Sequence, residues 1–168
     1  DDMKKGFEAL RAVMVEGYKP SIARLYDAAD ASQHFDWNGD RHVLIFMAEG
    51  PAGITKATAD GIKEIVSKFD GVEEVDPKII EKWFGGLNWG AEQIAEEKKE
   101  ILATGNIGIT TEISGCWDCI YDIYSNAVRR IAEEVPDITL VGGHSSHSYI
   151  NGTNMYFVYY YNVVDCEP

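Results

Sequence analysis

The sequence predicts an α+β domain in which a mostly antiparallel sheet carries helices on one face. The clearest hairpin signal is Asn151-Gly152, which lies between two runs of β-favouring residues and is the dipeptide most typical of a two-residue loop. The segment 42–48 is apolar on both faces, a pattern typical of a central strand that is covered on both sides. Several further segments carry apolar residues at helical spacing. Strands joined partly by hairpins and partly by helices give the α+β class.

Hydrophobic periodicity assigns the elements in chain order. Helices are predicted at 2–16, from Pro51 to Phe69, from Asp76 to Phe84, at 91–103 and at 115–134. Strands are predicted at 20–27, 42–48, 107–113 and 138–148, with a last strand after Gly152. The stretch 28–41 is polar and turn-rich, and we interpret it as a loop without function.

The helix at 91–103 is expected to bury one side through Ile94, Ala95, Ile101 and Leu102. Lys98 falls on the same side, four residues after Ile94. A lysine there either extends along the apolar surface to solvent or faces inward as a cation.

Composition excludes some classes of partner. Twenty-eight acidic residues against 15 basic ones give a net charge of −13, which argues against nucleic acid and anionic membranes because both need clustered Lys and Arg. A small anionic substrate needs only one or two cations and is not excluded. The sequence has neither a transmembrane run nor a signal-peptide pattern at its start. Three cysteines in 168 residues indicate a reducing, cytoplasmic setting.

The hairpin also predicts which side chains meet. Counting back from a two-residue loop at Asn151-Gly152 places His147 opposite Tyr156. Directly opposed residues share one face, with Cβ atoms about 5 Å apart. An imidazole beside a phenol can transfer protons, although ordinary strand packing explains such a pair as well.

One face of the predicted sheet is unusually polar. Its members are Arg24, Thr110, Glu112, His147, Tyr156, Tyr160 and Asn162. Helices need only the opposite face for their apolar stripes. We therefore expect the polar face to line a cavity that a partner domain closes.

Two shorter motifs allow alternatives. Cys116-x-x-Cys119 is predicted at a helix start, where a thiol pKa can be lowered, but redox motifs of this kind normally follow a strand in a βαβ unit. Trp117 is better explained as a core residue, so a structural role is favoured. Together with the two cysteines, His144 and His147 suggest zinc, but the odd separation of the histidines on a strand points them to opposite faces. No metal site is predicted.

Four segments, PSIARLYD, LIFMAEGP, ITTEISGCWD and GHSSHSYINGTNMYF, carry a family resemblance in this order. Together they resemble the C-terminal substrate-binding (cap) domain of FAD-linked oxidases with the vanillyl-alcohol oxidase flavin fold. The nearest branch is alkylglycerone-phosphate synthase (alkyldihydroxyacetonephosphate synthase), with FAD-dependent D-lactate and glycolate dehydrogenases more distant. The resemblance implies a ferredoxin-like cap domain over residues 1–168, and its strongest motif spans 146–157.

The resemblance also implies roles for individual residues. Arg24 matches the arginine that binds the substrate phosphate or carboxylate. Tyr156 matches the phenol that exchanges a proton with the substrate, and His147 lies in a segment that lines the same cavity. Lys98 falls where the synthases carry an arginine, which departs from the family pattern. We add Glu112 and Tyr160 to the substrate-binding set because they share the polar face.

The implied function is that of a substrate-binding domain in a longer FAD-dependent oxidoreductase for a small anionic hydroxy acid or a phosphorylated substrate. The family's FAD-binding domain and its His-rich motif are not found in these 168 residues, so the flavin and most of its binding site are expected from the rest of the polypeptide. One alternative is the exchange of acyl for alkyl on dihydroxyacetone phosphate. Another is a non-catalytic ligand-binding module. A homodimer is left open.

Overall fold

The computed structural model describes residues 2–35, 37 and 39–163. In chain order the elements are α1 (Asp2–Val15), β1 (Ile22–Tyr26), α2 (Ala28–His34), β2 (Val43–Met47), α3 (Ala52–Val66), α4 (Ile79–Gly85), α5 (Ala91–Thr104), β3 (Asn106–Cys116), α6 (Ile120–Glu134), β4 (Ile138–Ser145) and β5 (Gly152–Asn162). No helix in the described part of the chain is long and apolar enough to cross a membrane.

The five strands form one sheet in the order β2-β1-β4-β5-β3, and every pair of neighbours is antiparallel. Both β3 and β4 lie antiparallel to β5, so they run parallel to each other and α6 connects them as a crossover. The predicted α+β class with an antiparallel sheet is confirmed.

One side of the sheet, which we call the core face, carries the main hydrophobic core. Alternate residues of β1 and β5 point to this side, and Leu25 and Met155 are 1% and 0% exposed. They pack against α1 and α6 through Leu10 and Ile120. Burial on this scale stabilises the fold strongly, since truncating such a leucine to alanine typically costs about 2–5 kcal/mol.

The opposite side, the site face, carries Arg24, Tyr26, Val43, Ile45, His144 and Tyr156. Two short helices, α2 and α4, cover its β1–β2 end through Phe35 and Trp83. The prediction that helices pack on one face therefore holds for α1 and α6 but not for these two. Periodicity reports which side of a helix is apolar, but not which side of the sheet it covers.

Residues 28–41 are not simply a loop, and that interpretation was wrong. Asp27 begins α2 as its N-cap by accepting the Asp30 N–H at 2.8 Å, the usual way in which a helix start satisfies its free donors. The same buried carboxylate accepts the Tyr124 hydroxyl and the Gly143 N–H, each at 2.7 Å. Burial nevertheless raises the pKa of Asp27 above its ordinary value. These bonds fasten α2 to the sheet.

The hairpin loop is two residues longer than predicted. Ser148 bridges Thr153, and the Tyr149 N–H donates to the Gly152 carbonyl at 2.8 Å. Gly152 does not take the positive φ of a two-residue turn. It is the first residue of β5, where the Gly115 carbonyl occupies the space that a Cβ would need. The Asn-Gly signal was misinterpreted because this glycine serves close backbone approach, not turn geometry.

Two further predictions about helices were wrong. α6 begins at Ile120 rather than at 115, because β3 continues to Cys116 and pairs it with Gly152. α5 buries no residue, and its Ile94 and Leu102 are 54% and 77% exposed. Likewise, Ile54 of α3 is 62% exposed. An apolar stripe on a helix does not specify a partner within the same chain.

Candidate functional site

A row of side chains crosses the site face from β1 to β3, and we call it the site row. Strand register builds it, because Tyr26 pairs with His144, His144 with Tyr156, and Tyr156 with Glu112. Arg24 lies next to Tyr26 on the same face of β1. Four strands therefore contribute to one continuous line of polar and aromatic groups.

The guanidinium of Arg24 is held at one end of the row. Its Nη1 donates to the Tyr26 hydroxyl at 2.9 Å, and its Cζ lies 5.0 Å from the Trp83 ring centroid, within cation–π range. The guanidinium is thus oriented by the sheet on one side and by α4 on the other.

Three rings stack along the middle of the row. The Tyr26 and His144 centroids are 4.6 Å apart with planes 22° apart, and the His144 and Tyr156 centroids are 5.2 Å apart at 28°. Burial raises the pKa of Tyr26 despite the opposing effect of Arg24. The stack therefore connects a buried, protonated phenol to Tyr156, which is half-buried.

Asp30 of α2 anchors the central histidine. Its fully buried Oδ2 lies 2.6 Å from His144 Nδ1, and Oδ1 lies 3.1 Å from His34 Nδ1. Oδ1 has no hydrogen-bond partner among the described residues, and His34 Nδ1 also lies 3.0 Å from the backbone oxygen of Asp30. The contact between Oδ1 and His34 is an ion pair when His34 is protonated. Burial alone would raise the pKa of Asp30, but the two histidines outweigh burial and lower it. The pKa of His34 is raised, because Asp30 outweighs the effect of burial.

Asn154 organises the other end of the row. It is 4% exposed, and its Oδ1 accepts the N–H groups of Ser146 at 2.8 Å and His147 at 2.7 Å. Its Nδ2 donates to Glu112 Oε1 at 2.8 Å. Asn154 therefore fixes the backbone before the hairpin loop and the carboxylate of β3 at once.

Glu112 and Tyr156 influence each other's protonation. The hydrogen bond to Glu112 raises the pKa of Tyr156, with a smaller contribution from burial. Hydrogen bonds from Asn154 and Tyr156 lower the pKa of Glu112. The pair therefore holds its proton on the phenol and its negative charge on the carboxylate.

The structure brings Arg24, Tyr156 and Glu112 into one row, but it corrects the place of His147. His147 lies opposite Asn154 rather than Tyr156, because the longer loop shifts the register. Its exposed ring still lies 6.5 Å from that of Tyr156. The residue directly opposite Tyr156 is His144.

Two predicted site residues lie outside the row. Lys98 is exposed on α5, and no hydrogen bond or ion pair of the described residues links it to the row. Tyr160 is half-buried and its ring covers Gly108. Burial is the main reason that its pKa is raised.

Sequence interpretation missed several residues around the row. They are Tyr26, Asp30, His34, Trp83, His144 and Asn154. The Asp27-Ala-Ala-Asp30 sequence was a signal for a capped helix, and it would have revealed Asp30 and His34. The role of Trp83 had no such signal.

A cavity of about 410 Å³ lies away from the row, between β2, α3 and the segment 72–80. Its lining is mostly apolar, with Leu44, Phe46, Ile62 and Val66 among its residues. The site row offers the convergent polar groups that a reaction needs, and we assign the candidate site there. No cluster of three or more metal-ligating side chains occurs within the described ranges.

Comparison with known proteins finds relatives that align with the whole of this chain. The chain is 60% identical, over 172 aligned positions that include all of its residues, to the uncharacterized FAD-linked oxidoreductase YgcU of Escherichia coli K12. The protein of the same name from Escherichia coli O157:H7 is also 60% identical. The chain spans 36% of the length of each relative and corresponds to the C-terminal part.

Solved structures show the same fold. Two structures of alkyldihydroxyacetonephosphate synthase superpose with a TM-score of 0.70, covering 93% and 92% of this chain and 33% of the synthase chain. Sequence identity is 17% in both, so this likeness concerns the fold alone. No protein-family model matches the chain. The resemblance to FAD-linked oxidases is confirmed, and the chain corresponds to a C-terminal part of such proteins.

Proposed function

We propose that this chain is the substrate-binding domain of a longer FAD-dependent oxidoreductase that acts on a small anionic hydroxy acid or phosphorylated substrate. One observation carries the proposal: Arg24 and Tyr156 lie on the same sheet face, joined by the stacked rings of Tyr26 and His144. An anion-binding group and a proton-exchanging group thus belong to one rigid surface, as substrate positioning requires.

Arg24 is suited to hold the anionic end of the substrate. A guanidinium binds carboxylate or phosphate through two parallel hydrogen bonds. Tyr26 and Trp83 restrict its orientation in advance, so less side-chain freedom is lost when a substrate binds.

Tyr156 is suited to exchange a proton at the other end. Glu112 keeps the phenol protonated at rest, and the phenol can pass this proton to the Glu112 carboxylate as it takes up the proton of the substrate hydroxyl. His147, with its exposed ring nearby, can orient the substrate or take up the proton afterwards.

The residues of the site row are suited to bind a substrate next to a flavin, but they are not suited to bind the phosphates of FAD. The site row contains one guanidinium, and the chain has a net charge of −13, so the pyrophosphate of FAD would be held by the rest of the polypeptide. The rings of Tyr156 and His147 would border the flavin at the open end of the row. FAD, when bound, supplies the electron acceptor.

A second candidate is the exchange of acyl for alkyl on dihydroxyacetone phosphate. Arg24 would bind the phosphate, and Tyr156 would exchange a proton with the substrate. The likeness of the fold to alkyldihydroxyacetonephosphate synthase supports its inclusion. Lys98, which is exposed and apart from the row, makes this candidate weaker, because the synthases carry an arginine there.

The test uses the full-length, FAD-loaded protein under anaerobic conditions. Bleaching of the flavin by D-lactate or glycolate supports oxidation of a hydroxy acid, and bleaching by acyl-dihydroxyacetone phosphate supports the exchange reaction. If no anion of either class alters the flavin spectrum, the enzymatic proposal is wrong and a non-catalytic binding module remains.

Two substitutions test the proposed roles of Arg24 in substrate binding and Tyr156 in proton transfer separately. Arg24→Lys should raise KM about tenfold or more, because a lysine cannot form the bidentate pair. Tyr156→Phe should lower kcat about 100-fold with little change in KM, because proton transfer is lost while binding remains. Arg129→Lys is the matched control, since Arg129 pairs with Glu133 on the surface of α6 and should leave both constants unchanged.

A further inference from the structure

The two cysteines of the Cys-Trp-Asp-Cys segment lie at a strand-to-helix junction. Cys116 is the last residue of β3, and Cys119 is the N-cap of α6. Because α6 crosses from β3 to the parallel strand β4, this is the βαβ context in which a Cys-x-x-Cys redox motif normally occurs. The predicted helix start at 115 had concealed this context.

The two sulfur atoms are already close together. Sγ of Cys116 lies 3.2 Å from Sγ of Cys119, and the turn between them is closed by the Cys119 N–H, which donates to the Cys116 carbonyl at 3.1 Å. A disulfide needs about 2.05 Å between the sulfurs, so a small side-chain movement suffices. Cys116 is exposed and Cys119 is half-buried, which leaves the pair open to small reagents.

The surroundings distinguish the two thiols. The pKa of Cys116 is lowered mainly by its hydrogen bond with the Cys119 thiol, against the effect of burial. The backbone N–H groups of Asp118 and Cys119 lower it further, although the Asp118 carboxylate opposes them. The pKa of Cys119 is raised, mainly by its hydrogen bond with Cys116. Cys116 is also the more exposed of the two thiols, so it is the attacking nucleophile and Cys119 the second, resolving thiol.

We propose that Cys116 and Cys119 form a redox-active dithiol that small disulfides such as oxidised glutathione convert reversibly into a disulfide. The Cys116 thiolate attacks one sulfur of the small disulfide and releases one thiol. Cys119 then loses its proton, attacks the Cys116 sulfur of the mixed disulfide and releases the second thiol. The chain gives up two electrons and two protons, and the small disulfide takes them up as two thiols.

The indole of Trp117 lies where it can report oxidation of the two cysteines. Trp117 lies between the two cysteines, and its indole N–H is 3.1 Å from the carbonyl oxygens of both Tyr149 and Ile150 in the hairpin loop. Closing the disulfide moves the two side chains that flank this indole. Because a disulfide across so short a loop gains little chain entropy, we expect ready reduction and hence a reversible change.

The experiment follows individual thiols in the full-length protein. The protein is equilibrated in buffers of increasing oxidised-to-reduced glutathione ratio, quenched with acid, alkylated and mapped by mass spectrometry. Cys116 and Cys119 should lose alkylation together, with the loss of two hydrogen atoms from their peptide, and excess reduced glutathione should restore both. Cys166, which has no cysteine nearby in the sequence, is the internal control thiol.

Two variants test the order of attack. Cys119→Ser should trap a stable glutathione adduct on Cys116, and in Cys116→Ser the remaining thiol should react about tenfold more slowly. The proposal is overturned if both wild-type thiols stay alkylatable at every ratio, if each ends as a separate adduct, or if Cys119→Ser forms no adduct. None of these readouts depends on flavin turnover.

Discussion

The two halves of the site face hold their polar groups in opposite ways. Beneath α2 and α4, Asp30 and Tyr26 are fully buried, and the His144 side chain is 12% exposed. Toward β3, Glu112 and His147 are exposed. The same row of side chains thus passes from a covered half to an open half.

This difference separates the side chains that are held in one orientation from those that can exchange protons. A buried carboxylate must be paired with cations or donors, since an unpaired buried charge is costly. The geometry around Asp30, His34 and His144 is therefore fixed before any ligand arrives. Exposed groups are hydrated and can change partners at low cost, which suits Glu112, with the half-buried Tyr156 beside it, for proton exchange.

The largest effect is expected from Asp30→Asn in the covered half. The substitution removes the charge that pairs with His144 and His34, and breaking such a buried pair should cost about 3 kcal/mol of unfolding free energy. Urea denaturation at neutral pH measures the loss. Asp60→Asn is the matched control, because Asp60 is 61% exposed beside Lys56. Equal losses in the two variants would contradict the assigned role of Asp30.

The same ion pair predicts a pH window for stability. The folded pKa of Asp30 is lowered, so its contribution is present above the unfolded pKa of about 3.9 and is lost as pH falls through the folded value. The folded pKa of His34 is raised, so its contribution is complete below the unfolded pKa of about 6.5 and is lost as pH rises through the folded value.

The stability difference between the native chain and Asp30→Asn should therefore be largest between about pH 4 and pH 6.5. It should shrink on both the acid and the alkaline side. Urea titrations at a series of pH values measure the difference directly. A difference that does not vary with pH would show that Asp30 acts through packing or neutral hydrogen bonds alone.

The sequence was sufficient for the open half of the site, where strand alternation alone brings residues together. Tyr156 and Glu112 fall on one face by the period of two, and the same rule places Arg24 of the covered half on that face. The register of the hairpin could not be predicted from Asn151-Gly152. Whether a glycine serves a turn or close packing depends on the neighbouring strand, here Gly115 of β3.

The covered half could not be predicted in the same way. Asp30 and His34 acquire their roles only when α2 packs on the site face, and α4 brings Trp83 over Arg24 from a distant part of the sequence. Local patterns reveal a helix and its apolar side, but not its position on the sheet. The fold class is predicted correctly even when the position of a helix on the sheet is not, because the class depends on the order of elements and not on their exact packing.

The smallest effect on stability is expected from Glu112→Gln in the open half. Because Glu112 is exposed, the unfolding free energy should stay unchanged, whereas the pKa of Tyr156 should fall toward its ordinary value once the carboxylate is gone. The difference in phenolate absorbance with and without Tyr156→Phe isolates this one tyrosine in each background. An unchanged Tyr156 pKa would contradict the proposed coupling between Glu112 and Tyr156. A stability loss as large as that of Asp30→Asn would show that the open half is as rigid as the covered one.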